Sequence, residues 1–254
     1  MFENDLKEFG IHLSDLQKSQ FVQYYELLVE WNSFMNLTAI TDFDEVMKKH
    51  FIDSLSIVKA FDYMNKSFDS KSDFSLNDSQ CKVIDIGTGA GFPGIPLKIA
   101  FPDIKVTLLD SLQKRVKFLD EVIGKLGLSG IHTLHGRAED YAKPDKLNED
   151  KMLREKYDLC VSRAVANLST LSELCLPFVK KDGLFISYKS EKLTDELKEA
   201  GKAVTILGGK VEGQVCFKLP DSDISRNLLI IKKVKSTPAK FPRKAGLPAK
   251  EPIK

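Results

Sequence analysis

The sequence predicts an α/β fold: a mostly parallel seven-stranded sheet preceded by an N-terminal helical cap. Three observations carry this. From residue 82 onward, short apolar runs alternate with amphipathic helical segments, the pattern of a doubly wound parallel sheet. The first run, Val83–Ile86, leads into three glycines and then a helical segment. The last two strands lack a convincing helix between them, so they should form an antiparallel pair.

In chain order, Ser14–Phe34 is predicted as an amphipathic helix capped by Ser14, with Leu16, Phe21, Tyr24, Tyr25, Leu27, Leu28 and Trp31 at helical spacing. Asp42 or Asp44 can cap a second helix through Lys48–Ala60. It carries His50 and Asp53 three residues apart, close enough to hydrogen-bond on one face. Such a pair serves more often as a structural buttress than as a catalytic dyad. The serine-rich stretch Asn65–Gln80 reads as a linker. The helices Ile95–Phe101 and Ser111–Leu126 flank a second strand, Ile104–Leu109. Ile131–Leu134, Tyr157–Val161 and Gly183–Tyr188 are the third to fifth strands, with Leu168–Val179 and Leu193–Ala200 helical. Val204–Leu207 and Leu228–Lys232 complete the sheet, separated by an irregular loop around Gly213–Asn227. The implied division is a cap over residues 1–65, a ligand-binding domain over 66–234 and a tail over 235–254.

The chemistry starts at Gly87, Gly89 and Gly91. Glycines between a buried strand and a helix let backbone approach a ligand without Cβ atoms in the way. Asp110 ends the second strand, 23 residues after Gly87, and an acid about 20 residues past the glycines is where a ribose diol is held. A nucleoside cofactor is therefore expected. Gly87-x-Gly89-x-Gly91 fits the loop of S-adenosylmethionine-dependent methyltransferases, while Gly89-x-Gly91-x-x-Gly94 also fits a dinucleotide fingerprint. Pro93 and Pro96 crowd the first helical turn, removing N–H donors that a pyrophosphate needs and that S-adenosylmethionine, lacking phosphate, does not. The antiparallel ending of the sheet also favours methyl transfer. An oxidoreductase remains the rival, along with a noncatalytic RNA-binding factor.

Composition bounds the reading. A chain of 254 residues with 43% hydrophobic content can bury a large core. No apolar run reaches the length of a membrane span, and Met1–Gly10 is too acidic for a signal peptide. Cys81, Cys160, Cys175 and Cys216 show no metal-ligand or disulfide spacing, so a cytoplasmic protein with free thiols and no metal is expected. Net charge is +2, yet Lys232–Lys254 alone carries eight Lys/Arg against one acid, Glu251. This proline-rich tail should be extended and poorly ordered, and a polyanion such as nucleic acid is its expected partner. Lys114, Arg115, Lys189, Arg243 and Lys244 are the candidate RNA contacts.

In such sheets the ligand lies over the carboxyl ends of the strands. Those ends present Gly87–Phe92, Asp110 with Ser111, Ala138 with Glu139, and Arg163. The glycines make room for the methionine portion and Asp110 takes the ribose. Ala138 and Glu139 flank the adenine, with Phe92 near by, and Arg163 adjoins the methyl group. Glu139 has an equally good alternative as a helix N-terminal acid. The fourth strand's end lacks the Asn/Asp-Pro-Pro-aromatic motif of exocyclic-amine methylation, and no Pro-Cys serves C5 methylation. Guanine N7 needs neither device, because its lone pair is already nucleophilic.

Several runs together resemble one family. These are Val83–Leu97, Trp31-Asn32 with Asn36-Leu37-Thr38, His50-x-x-Asp53-Ser54, Leu108–Arg115 and Ser162-Arg163-Ala164. They are similar to the bacterial 16S ribosomal RNA guanine-N7 methyltransferases, also called glucose-inhibited division protein B, over about residues 10–235. The resemblance implies a class I, Rossmann-like methyltransferase using S-adenosylmethionine, with S-adenosylhomocysteine as product. The implied acceptor is N7 of a guanine in the decoding region of small-subunit RNA or the 30S particle, and a monomer is expected. Its cofactor positions map onto Gly87, Phe92, Ala138, Glu139 and Arg163, with Asp110 at the ribose acid. Asn65–Gln80 and Pro144–Lys156 look like insertions.

Overall fold

Val83–Ile86 is buried along its whole length, so this strand must be covered on both faces. A computed structural model describes residues 2–67, 75–144, 153–163, 166–189 and 194–254, and places this strand, β1 (Lys82–Ile86), inside a seven-stranded sheet. The others are β2 (Lys105–Asp110), β3 (Ile131–His135), β4 (Tyr157–Ser162), β5 (Val179–Lys189), β6 (Gly209–Lys218) and β7 (Ser225–Lys233). Their spatial order is β3-β2-β1-β4-β5-β7-β6. The strands β1 to β5 pair in parallel, whereas β7 pairs antiparallel with both β5 and β6. Strand order reverses between β1 and β4, so a crevice opens at their carboxyl ends.

The first helices are α1 (Phe2–Glu8) and α2 (Asp15–Met35). A capping box at Ser14, with Gln17 answering, starts α2 as expected. Asp42 accepts from Glu45 N at 3.0 Å and starts α3 (Phe43–Val46). A π-helical turn, Met47–Ile52, continues it into α4 (Asp53–Leu55), and α5 (Val58–Ser67) follows. These helices have no core of their own. Phe21, Tyr24, Leu28, Phe51 and Ile52 are fully buried in the same cluster as Val83, Ile95 and Leu108. Leu16, expected on the apolar face, is 69% exposed.

The remaining helices are α6 (Gly94–Ala100), α7 (Gln113–Lys125), α8 (Ala138–Ala142), α9 (Leu168–Cys175), α10 (Thr194–Ile206) and α11 (Leu247–Lys250). Two expectations fail here for clear reasons. Val204–Leu207, expected as a strand, is the end of α10 and the residue after it: Ala200, Ala203, Val204 and Leu207 are buried at helical spacing. The sixth strand is instead β6, which runs through the expected loop. As an edge strand it alternates Lys210, Glu212 and Gln214 with Val211, Gly213 and Val215, so only the short run Val215-Cys216-Phe217 is apolar and it does not announce a strand. Pro177 turns the end of α9 into a 3-10 turn, Leu176–Phe178, and β5 begins at Val179 rather than Gly183.

The third correction concerns the tail. Residues 235–254 are packed against the body rather than extended. Arg154 donates to the carbonyls of Ala142 (2.9 Å), Phe241 (2.8 Å), Thr237 and Pro238. Phe241 and Pro248 are buried. Residues 68–74 and 145–152 of the two expected insertions, and Ala164, lie outside the described residues.

Candidate active site

The three glycines of the loop after β1 have two different jobs. Gly87 (φ 69°) and Gly89 (φ 63°) adopt left-handed backbone, and a Cβ on Gly87 would meet nothing within 4 Å. Their outer faces are open to an approaching ligand. Gly91 (φ 97°) is a packing glycine, since a Cβ there would lie 2.5 Å from Tyr24 Oη and 2.6 Å from Ile95 Cδ1. Tyr24 Oη also donates to Ala90 O, so α2 of the cap grips the loop from behind.

Carboxylates hold the loop from the front. Asp85 Oδ2 accepts from Thr88 Oγ1 (2.7 Å) and Gly94 N (2.9 Å). Asp85 Oδ1 is buried without a partner among the described residues, and burial pushes this carboxyl up to about 6. Asp110 Oδ2 accepts from Gly89 N at 3.0 Å and, more loosely, from Arg115 at 3.4 Å; Oδ1 accepts from Leu112 N at 2.9 Å. The expected ribose acid is thus also the tie between the glycine loop and α7.

Beside the loop lies a cavity of about 200 Å³. Gly87 and Leu109 form one side, with Ser111, Ala138 and Glu139 around it. Thr170 and Leu174 of α9 close the back, and Gly246, Pro248 and Ala249 of the tail form a further wall. The volume is below the ~300–1,000 Å³ of whole-ligand pockets, so it suits one end of a ligand whose remainder lies in the open crevice. Open glycine faces and a largely apolar slot ending at Glu139 fit a nucleoside cofactor, whereas Asp110, the expected ribose acid, is buried against the loop and does not line the cavity.

Arg163 and Phe92 stand elsewhere. Phe92 is buried under the cap, stacked on His50 with ring centroids 4.7 Å apart, and does not line the cavity. The Arg163 guanidinium sits 4.9 Å over the Phe92 ring. It donates to Asp53 Oδ2 (3.0 Å), to the Lys49 and His50 carbonyls (3.3 and 3.4 Å) and to His50 Nδ1 (3.3 Å). His50 and Asp53 therefore converge on Arg163 instead of forming a dyad. Burial, aided by the Arg163 charge, lowers His50 to about 3. A neutral ring accepting at Nδ1 carries its proton on Nε2, which faces Thr38 Oγ1 at 2.8 Å. Asp53 Oδ1 accepts in addition from Arg226 Nε at 2.8 Å. Arg226 escaped the sequence reading because it lies in the segment expected as loop.

Of the expected RNA contacts, two are committed elsewhere. Lys189 Nζ is held by Ala166 O (2.8 Å) and Glu196 Oε1 (2.7 Å), with only 10% of its side chain exposed. Arg243 is locked to Glu173 in the tail's docking site. Lys114 and Lys244 are exposed, and Arg115 is partly so. Among the described residues no helix is long and apolar enough to cross a membrane, and no cluster of three His, Cys, Asp or Glu could hold a metal.

Comparison with known proteins identifies the family. The family model described as rRNA small subunit methyltransferase G (GidB) matches residues 17–228. Relatives named ribosomal RNA small subunit methyltransferase G match along nearly the whole chain. That of Lachnoclostridium phytofermentans is 53% identical over 99% of this chain and 96% of its own length. That of Alkaliphilus metalliredigens is 48% identical over 100% and 98%, and that of Alkaliphilus oremlandii 50% identical over 96% and 94%. With a class I methyltransferase sheet, a glycine loop open at its switch point and identity near one half along nearly all its length, this chain belongs to the rRNA small subunit methyltransferase G family.

Proposed function

We propose that this protein transfers a methyl group from S-adenosylmethionine to N7 of a guanine in the decoding region of small-subunit (16S) ribosomal RNA. The observation that carries the reading is the open glycine loop at the switch point of the sheet, where Gly87, Ala138 and Glu139 line one cavity and the neighbouring strand β4 ends next to Arg163. When bound, S-adenosylmethionine supplies an electrophilic methyl group on a sulfonium.

The residues have distinct tasks. Gly87 and Gly89 admit the amino-acid portion, and the slot between Ala138, Glu139 and α9 takes the adenosine. Asp110 offers its remaining lone pairs to the ribose; the 3.4 Å contact to Arg115 is the weakest of its three and the one a hydroxyl would displace. Guanine N7 has no proton to lose, so no general base is required, and catalysis rests on alignment and electrostatics. Arg163 suits the neighbouring O6, a natural partner for arginine. Lys114 and Lys244 are free to meet phosphates. The protein acts in the cytoplasm as a monomer.

The test is transfer of labelled methyl to small-subunit RNA lacking the modification, offered as free RNA and as intact subunits. Alkali-induced cleavage at N7-methylguanine then locates the product. Cleavage at one guanine is expected. Label on another atom or base, or none on either substrate, refutes the assignment.

A further inference from the structure

We propose that the distal half of the C-terminal tail, Arg243–Glu251, is a strap that closes the nucleoside end of the cofactor site and contributes to binding there. The proposal rests on the cofactor reading above and assigns it a wall from outside the sheet domain.

The tail has two halves with different anchors. Its proximal half is nailed to the body by Arg154, and Thr237 is fixed further by Lys233 Nζ (2.7 Å), Glu155 Oε1 (2.7 Å) and Leu207 O (2.7 Å). The distal half is held at three points around the cavity. Arg243 donates to Glu173 from its backbone N (2.8 Å), Nε (2.9 Å) and Nη2 (2.6 Å). Gly246 N donates to Glu139 Oε1 at 2.8 Å, and Thr170 Oγ1 to Pro248 O at 3.0 Å.

Each anchor joins the strap to an element that also borders the cavity. Glu139 lies in α8, while Thr170 and Glu173 lie in α9. Glu173 is fully buried, and among the described residues Arg243 makes every hydrogen bond recorded to its carboxylate. A buried carboxylate with one arginine partner strongly favours the docked strap. Gly246, at φ 84°, turns the chain so that Pro248 and Ala249 face the slot. The Gly246 N–H occupies one oxygen of Glu139 and so orients the other, which also makes Glu139 more than a helix-start acid.

Two variants test this by binding of S-adenosylhomocysteine and of 5′-methylthioadenosine, which lacks the amino-acid portion. Ala249→Glu places bulk and charge on the wall at an exposed residue, leaving the anchors intact. A chain ending at Pro242 and carrying Glu173→Gln removes the strap without leaving a bare charge. Both should lose affinity for both ligands by about tenfold or more, the scale of one lost hydrogen bond with its apolar contact. Lys235→Ala, at an exposed residue outside the strap, should bind as the parent does. Hydrogen exchange of the Gly246, Leu247 and Ala249 amides should slow when either ligand is added to the parent. Parental affinity within about twofold in Ala249→Glu overturns the strap, whether or not the shortened chain folds. Parental cofactor affinity with weakened RNA binding would make the tail an RNA contact instead. If the parent binds neither ligand, the cofactor reading itself falls and the strap with it.

Discussion

Two arginine–carboxylate clamps flank the site, and they are built differently. At the strap, Arg243 and Glu173 form a saturated one-to-one pair around a fully buried carboxylate. At the cap, Asp53 is shared by two arginines, Arg163 at 3.0 Å and Arg226 at 2.8 Å. One acid between two cations leaves a surplus positive charge, and the Arg163 side chain is still 19% exposed. The saturated pair suits holding a chain segment in place. The unsaturated one keeps an arginine positioned yet available to an electron-rich ligand. Equal motifs at the level of residue type thus differ in use through stoichiometry.

The sharpest break in this comparison is Arg163→Ala. If Arg163 faces the reacting base as proposed, removing it should lower turnover by about 10²–10³ at saturating cofactor, the usual cost of one transition-state donor. The unfolding midpoint should barely move; near-normal turnover would refute the role of Arg163. Arg243→Ala should act on stability, because it strands a buried carboxylate, with an expected loss of about 3–5 kcal/mol in urea unfolding. Asp53→Asn should be milder than either, since Arg163 retains carbonyl partners and Arg226 retains Ser225 O. Its expected mark is a fall in turnover that Asp53→Glu partly restores. A stability loss as large as that of Arg243→Ala would erase the distinction between the clamps.

The pH response sharpens the same contrast. His50, neutral in the fold and held at about 3, is protonated below about 6.5 only when unfolded, so its contribution to stability falls as pH drops below that value. Asp85, held at about 6, keeps a proton that the unfolded chain has lost above about 3.9, so its contribution falls as pH rises across that window. The two slopes oppose each other between roughly pH 4 and 6, each at most about 1.4 kcal/mol per unit. His50→Gln should uncover the Asp85 slope and Asp85→Asn the His50 slope, read from urea midpoints at successive pH values. The smallest effect is expected at Lys114 and Lys244. Replacing either with Ala should reduce the salt dependence of RNA binding by about one charge, without altering cofactor affinity.

What could be read directly from the residues was whatever depends on neighbours in the chain. Val83–Ile86 and its glycines announced a buried strand and an open turn, and Asp110 the end of the next strand. Ser14 and Asp42 announced helix starts, because a cap acts within one turn. The sheet class followed, since apolar alternation records burial. Edge strand β6 left no such record, because half of it faces water, and Val204–Leu207 misled because a short apolar run fits strand and helix alike. The partners of charged groups were decided only by tertiary structure. Nothing local says that Asp53 meets Arg163 and Arg226, 110 and 173 residues away, or that Glu173 meets Arg243 across 70. The basic, proline-rich tail looked disordered for the same reason. Its composition reports the cost of ordering it, whereas the buried carboxylate and the arginine that offset this cost come together only in the fold.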